Sequence, residues 1–387
     1  MLKDRTSMAL GSASEPVGFR EFLSGNMRPG AAVRALSTCD LLFPTRNVAR
    51  AGPVRVLRRG ATLDGLQFTE GGRTFDLNDF LAVNRVAGLL VLKDGHIVLE
   101  TYELGIGPDT RWASCSIAKS IASVLVGAAL QDGAIRSLDD LASSYLPELS
   151  DGCYEGVTIR HLITMTTGVR WSEAYVDPKS ERRKLLECQL TRKPGAILRH
   201  MRGLSKAGEP GSVWNYNTGD SYVLGAVVER ATGKSLADYL SEKIWTRAGM
   251  ERDARWGVES PDGMVLAGSG IYATLRDYGR FGQLVAEGGI IDRSRIVPEG
   301  WIEESGSPLR IGVAEVGYGY MWWIRSESDA ALRGSFQAEG IYGQSIYVHP
   351  AERVVIVVLS ARSKPSAVSR LELTDETFFA AVVQALR

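Results

Sequence analysis

Two hairpin signals, lying far apart in the sequence on either side of a long stretch of helical periodicity, constrain the fold of this chain more than any other feature. Leu89 to Leu92 and His96 to Tyr102 flank Lys93-Asp94-Gly95, and Ser345 to Val348 and Arg353 to Leu359 flank His349-Pro350-Ala351-Glu352. A C-terminal helix is predicted over roughly Thr374 to Leu386. Between the hairpins, Ser137-Leu138-Asp139-Asp140 and Val157-Thr158-Ile159-Arg160 read as helix starts, and Tyr222 to Arg230 is apolar at helical spacing. The simplest architecture is an α/β fold of the α+β type. An antiparallel sheet built from both ends of the chain is flanked by helices, with a helical region inserted in the middle. The corresponding division is an N-terminal extension over 1–80 packed on the main domain, an α/β domain over 81–150 and 265–387, and a mainly helical domain over 151–264.

Composition narrows the partners. The 387 residues are 44% apolar and 23% charged, with 45 lysines and arginines against 45 aspartates and glutamates. This is an ordinary globular composition with no global field to steer the chain to nucleic acid or an anionic membrane. The basic stretches at Lys179 to Lys184 and Arg192-Lys193 lack aromatic interleaving and are expected on a solvated loop or helix face. Met1 to Gly30 has no apolar core of signal-peptide length, so a cytoplasmic location is expected, and Val354 to Leu359 is too short to span a bilayer. Short apolar blocks at Ala31 to Leu36 and Leu41-Leu42-Phe43 would let the extension wrap the main domain. Cys39, Cys115, Cys153 and Cys188 are scattered without the close pairs of zinc or redox sites, so reduced, mostly buried thiols are expected.

The chemistry points to Ser116-Ile117-Ala118-Lys119. Arg111 to Cys115 reads as an extended entry, and Ile117, Ile121, Val124, Leu125 and Ala128 repeat at helical spacing until Asp132-Gly133. A serine and a lysine three apart share one face of a first helical turn. There the amine can take or steer the hydroxyl proton while the helix N-terminus favours negative charge, as acyl transfer requires. A lone Ser-x-x-Lys arises about once by chance in such a composition, and its bland reading is an amphipathic helix with a solvated lysine.

Other catalytic signatures are missing. The four histidines, His96, His161, His200 and His349, form no His-Glu-x-x-His, and no Gly-x-Ser-x-Gly elbow occurs. Gly219-Asp220-Ser221 lacks the placement of the esterase block it suggests. Gly233-Lys234-Ser235 lacks the leading strand and glycine of a phosphate loop and reads as a helix-ending turn.

Several blocks together resemble serine β-lactamase-like proteins, in the branch of class C β-lactamases and family VIII carboxylesterases, and most of all the 6-aminohexanoate-dimer (nylon-oligomer) hydrolases. They are Ser116 to Lys119, Thr158 to Gly168, Trp214-Asn215-Tyr216-Asn217-Thr218, Gly270 to Asp277 and the last hairpin, in family order. The resemblance runs from about Leu89 to the C-terminus and implies an acyl-enzyme on Ser116, with Lys119 and Tyr216 moving protons and no metal or organic cofactor. Which of the two is the acylation base stays open. A phenol beside an ammonium would be pushed toward phenolate.

The same resemblance implies an oxyanion site formed by the Ser116 and Ile341 amides, with Gly340 and Gly343 allowing close backbone approach. It implies substrate contacts from Tyr175 in Ala174-Tyr175-Val176-Asp177-Pro178, from Trp323 in Met321-Trp322-Trp323, and from Tyr342, Gly343 and Asn217. For each aromatic the bland reading is core packing, favoured for Trp322 and evenly balanced for Trp323. Where β-lactamases carry Lys-Thr-Gly this chain has Ala338-Glu339-Gly340, whose acid would repel a drug carboxylate. Thr218 replaces their asparagine, and no acid among Glu181 to Cys188 corresponds to the aspartate of the nylon-oligomer enzymes.

The expectation is a carboxylesterase acting on small esters, with room for weak amidase activity. Amide or β-lactam hydrolysis at the same site and a non-catalytic binding protein of this fold are the alternatives. The expected partner is a small ester or amide, with neither nucleic acid nor membrane; the oligomeric state is open, a homodimer included.

Overall fold

In the computed structural model, the described residues are 21–22, 27–41, 43–324, 329–366 and 373–387. The first twenty residues and Leu42 of the Leu41-Leu42-Phe43 block lie outside them. The helices are α1 (Pro29–Thr38), α2 (Leu77–Val83), α3 (Ile117–Gln131), α4 (Ile159–Ile163), α5 (Glu181–Leu190), α6 (Ala196–Arg202), α7 (Thr218–Thr232), α8 (Leu236–Leu240), α9 (Leu275–Ala286), α10 (Trp301–Ser305) and α11 (Asp375–Ala385).

The principal sheet joins the two ends of the chain. In chain order its strands are β4 (Val86–Lys93), β5 (His96–Tyr102), β13 (Trp323–Ile324), β14 (Phe336–Glu339), β15 (Ser345–His349) and β16 (Val354–Ser360); their spatial order is β13-β14-β15-β16-β4-β5, antiparallel throughout. A second sheet, in the order β1-β7-β8-β6, is made of β1 (Thr45–Val48), β6 (Trp112–Ala113), β7 (Ala254–Gly257) and β8 (Ile271–Ala273). Three two-stranded ribbons complete the strands: β2 (Gln67–Glu70) with β3 (Arg73–Asp76), β9 (Ile290–Ile291) with β10 (Ser294–Arg295), and β11 (Leu309–Ile311) with β12 (Ala314–Val316).

Both predicted hairpins form. Lys93 pairs with His96 across Asp94 and Gly95, whose φ values of 51° and 74° are those of a type I′ turn, and His349 pairs with Val354. β16 is an unbroken apolar run because it is buried on both faces. Val354, Ile356 and Val358 face a cluster with Phe378 and Phe379 of α11, while Val355, Val357 and Leu359 face the larger core beneath α9. α9 approaches closely through glycines: a Cβ on Gly279 or Gly282 would stand 2.5 Å from Leu90 or Val355.

The predicted helix start at Ser137–Asp140 does not form. The Asp140 N–H bonds the Ser137 carbonyl at 3.2 Å and the Asp139 N–H bonds the Ser137 hydroxyl at 3.0 Å, closing a turn. Short polar side chains that satisfy nearby backbone groups compete with helix in this way. Val157–Arg160 does start a helix: Thr158 caps α4 reciprocally with His161. Lys179–Lys184 is corrected at one residue. It enters α5, and Arg182, expected in solvent, is buried. No helix among the described residues is long and apolar enough to cross a membrane.

Candidate active site

Ser116 is the N-cap of α3, reached directly from a short strand. β6 enters from the second sheet, Ala113 opposite Tyr272. The next residue, Ser114, is held by its N–H on the Ile271 carbonyl at 2.7 Å and by its hydroxyl accepting the Ile271 N–H at 3.1 Å. Cys115 then adopts φ 48°, a left-handed conformation unusual for a side chain this size, which turns the strand abruptly into the helix. Ser116 sits at the helix N-cap but makes no side-chain cap bond, so its hydroxyl is left for other partners.

One of those partners is Lys119, one turn on. Its Nζ donates to Ser116 Oγ at 2.8 Å and to the Gly268 carbonyl at 2.8 Å, and the side chain is buried. Burial pushes this amine down from the ordinary lysine range to about 7, against the opposing pull of Glu173 and helped by Arg182. Tyr216 stands beside this pair: the lysine nitrogen lies 5.1 Å from the centre of its ring, and the Ser116 hydroxyl acts on its phenol. Burial and the Glu173 carboxylate drive the phenol far above its ordinary range, outweighing the opposite pull of the Ser116 hydroxyl. The expectation of a phenolate is therefore corrected. The lysine is the group able to stand neutral near pH 7, and the tyrosine keeps its proton.

The segment Gly340–Gln344 is the turn between β14 and β15, at one end of the principal sheet. The Gly340 N–H bonds the Gln344 carbonyl at 2.8 Å, the Ile341 carbonyl accepts the Ser366 N–H at 2.7 Å, and the Tyr342 N–H bonds Gln344 Oε1 at 3.2 Å. Among the described residues, neither the Ile341 nor the Ser116 amide is bonded to a backbone carbonyl. Burial pushes the neighbouring Cys115 thiol strongly up. Gly340 is needed here, since a Cβ on it would meet the Ser114 carbonyl at 2.8 Å.

Two cavities meet at Ser116. The more open one, about 530 Å³, is lined by Ser116, Tyr175, Tyr216, Trp323, Glu339 and Ile341 among others. Tyr216 stacks on Trp323 with ring centres 5.5 Å apart, while Trp322, next in chain, is fully buried against Phe281 and Phe336. The second is far tighter, about 40 Å³; it shares Ser116, Tyr175 and Ile341 but adds Phe22, Phe43 and Arg182. Tyr342 and Asn217 line neither. Tyr342 is buried, with its hydroxyl on the Phe22 carbonyl, and Asn217 is buried as the N-cap of α7, accepting the Asp220 N–H at 3.1 Å. Gly343 takes φ 86°, and a Cβ there would strike Arg362, so it shapes the turn that carries Ile341.

Sequence reasoning missed Glu173, Arg182 and the N-terminal residues Phe22, Cys39 and Phe43, all of which stand beside this site. For Glu173 the signal was its place directly before the Ala174–Pro178 segment. For Arg182, one charge in a polar stretch, there was none. Among the described residues no cluster of three or more His, Cys, Asp or Glu is able to hold a metal ion.

The fold is β-lactamase-like, that of a family of serine hydrolases. Residues 81–377 match the Beta-lactamase family, and the chain belongs to it. It is 29% identical over 342 residues to the 6-aminohexanoate-dimer hydrolase of Paenarthrobacter ureafaciens, covering 84% of each chain. A Bacillus anthracis protein provisionally assigned as a 6-aminohexanoate-dimer hydrolase has the same fold, with TM-score 0.82, 24% identity and coverage of 94% of this chain and 96% of that one. A family VIII carboxylesterase is also similar in fold, with TM-score 0.58 and 16% identity over 76% of this chain and 90% of that one.

Proposed function

We propose that the protein hydrolyses small carboxylic esters through an acyl-enzyme on Ser116, with amides as slower substrates. The observation that carries this reading is the Lys119–Ser116 hydrogen bond at 2.8 Å, with the Tyr216 ring centre 5.1 Å from the same Lys119 nitrogen. Neutral Lys119 takes the Ser116 proton as Oγ attacks the carbonyl carbon. The Ser116 and Ile341 amides receive the developing oxyanion. Tyr216, still protonated, gives its proton to the departing oxygen or nitrogen and is reprotonated from the Lys119 ammonium. Water then repeats the sequence on the acyl-enzyme, with Lys119 again the base.

An alkoxide or phenolate leaves with less help from an acid than an amine does, which favours esters. Glu339 on the open cavity disfavours substrates with an anion beside the scissile bond, β-lactams among them. Amide hydrolysis is the second reading, favoured by the extent of the likeness to the Paenarthrobacter enzyme.

The test is a panel of p-nitrophenyl acetate, nitrocefin and 6-aminohexanoate dimer on wild type and Ser116→Ala, with phosphonate labelling of both. The expected result is highest kcat/KM on the ester, with label on the Ser116 peptide that disappears in the alanine variant. Higher kcat/KM on the amide replaces the ester reading, and an unlabelled Ser116 ends the acyl-enzyme.

A further inference from the structure

Two of the residues that narrow one side of Ser116 come from outside the segment matched to the family, which begins at residue 81. The tight cavity is walled by Phe22 and Phe43 of the N-terminal segment, with Leu266 and Ile341 completing its apolar side. Its 40 Å³ hold about three water-sized groups. These walls are fixed from behind. The carbonyl of Pro44, next to Phe43, accepts the Val258 N–H at 2.9 Å, and Thr45 opens β1 opposite Gly257 of β7. On the other side of Phe43, the Tyr272 hydroxyl donates to Cys39 Sγ at 3.6 Å, and buried Asp40 pairs with Arg111 at 3.0 Å. Phe22 packs edge-on against Tyr342, ring centres 5.1 Å apart, and its carbonyl accepts the Tyr342 hydroxyl. The N-terminal segment is thus pinned on both flanks of Phe43 to the second sheet and, through Phe22, to the turn that carries Ile341.

Direction follows from Tyr216. Its ring lines the open cavity and not the tight one, so a leaving group that takes the phenolic proton lies on the open side, where about 530 Å³ is available. The acyl substituent, on the other side of the carbonyl carbon, then enters the tight cavity. Resting on the acyl-enzyme reading above, we infer that the N-terminal segment forms part of the active site and that Phe43 is a specificity-determining residue, limiting the acyl group to acetyl or propionyl while bulky leaving groups are admitted. A methyl or ethyl substituent fits the space of about three water-sized groups. The pentyl chain of a hexanoyl group does not, because walls tied to a sheet give way only at a cost.

The experiment measures kcat/KM for p-nitrophenyl acetate, propionate, butyrate and hexanoate, which share a leaving group, on wild type, Phe43→Leu and Phe43→Ala. Wild type is expected to favour acetate over hexanoate at least about tenfold, the lower part of the range that overpacking a filled site costs. Phe43→Ala is expected to bring that ratio to about one with the acetate rate retained, and Phe43→Leu to fall between; a merely structural role would lower all four esters alike. The direction is read in wild type from phenyl acetate and biphenyl-4-yl acetate, whose phenols are of similar acidity. Comparable kcat/KM for the two supports it, and loss of the biphenyl ester overturns it. A flat or rising wild-type profile from acetate to hexanoate, with Ser116 labelled by phosphonate, overturns the inference and leaves the acyl-enzyme standing. A steep profile with Ser116 unlabelled removes the acyl-enzyme and leaves the wall. An unaltered profile in Phe43→Ala overturns the role of Phe43.

Discussion

Thr218 donates to Glu173 twice, through its N–H at 3.0 Å and through its hydroxyl, and this clip fastens the first turn of α7 two residues beyond Tyr216. The same carboxylate holds Trp171 and Tyr175. Glu173 therefore joins the segment that walls the cavity to the segment that carries the phenol, and its charge acts on both Lys119 and Tyr216.

Glu173→Gln keeps the shape and removes the charge. Lost charge-assisted hydrogen bonds of about 1.5–3 kcal/mol correspond to a fall in kcat of roughly ten- to a hundredfold. Because the carboxylate raises the Lys119 pKa, the acid limb of the rate profile is expected to move to lower pH in the variant. A purely structural role would lower the rate without moving that limb, and pH profiles of kcat/KM distinguish the two.

In wild type, kcat/KM is expected to rise with pH and reach half its plateau near 7, as the buried amine loses its proton. The same group gives a stability signature. Unfolded, a lysine holds its proton to about pH 10.4, whereas folded Lys119 loses it near 7. Between these values the unfolded chain binds more protons, so wild-type stability gains from rising pH. Lys119→Met lacks that gain. Urea unfolding at pH 7 and pH 10 is expected to show the balance between wild type and variant moving toward wild type by a few kcal/mol over that interval.

Gly340→Ala places a Cβ against the Ser114 carbonyl and Gln344 Oε1. The turn must retreat, carrying the Ile341 amide away from Ser116. Loss of one oxyanion donor corresponds to a fall of about 10²–10³ in kcat, with KM changed little. Steady-state kinetics check this, and an unchanged kcat would remove the Ile341 amide from the oxyanion site.

Glu339 lines the leaving-group side, where an acid opposes anions. Glu339→Gln is expected to raise kcat/KM for esters whose leaving group carries a carboxylate by about three- to tenfold, the effect of roughly 1 kcal/mol of repulsion at a half-buried position. The gain should shrink as salt is added, because screening already weakens the repulsion in wild type. Equal gains at low and high salt would assign the change to shape.

Much of this was legible in the residues. The hairpin at Asp94-Gly95 declares itself because a two-residue turn needs φ above zero at both positions, and the apolar run of β16 declares burial. Helix α3 and its Ser-x-x-Lys face follow from local periodicity, as does α4 from its cap. The turn at Ser137–Asp140 misled because the same polar residues that cap helices also close turns.

The sequence by itself determined the antiparallel sheet made from both chain ends, the helix bearing Ser116 and Lys119, and the family to which they belong, since each is written in short-range pattern. Only the tertiary structure decided the charge states and the walls of the site. Burial of Lys119, the saturation of Glu173 by four donors and the unpaired nitrogens of Arg182 depend on residues from distant segments excluding water together. A proton affinity or an unmet hydrogen bond is a property of that shared environment, and no window of sequence contains it.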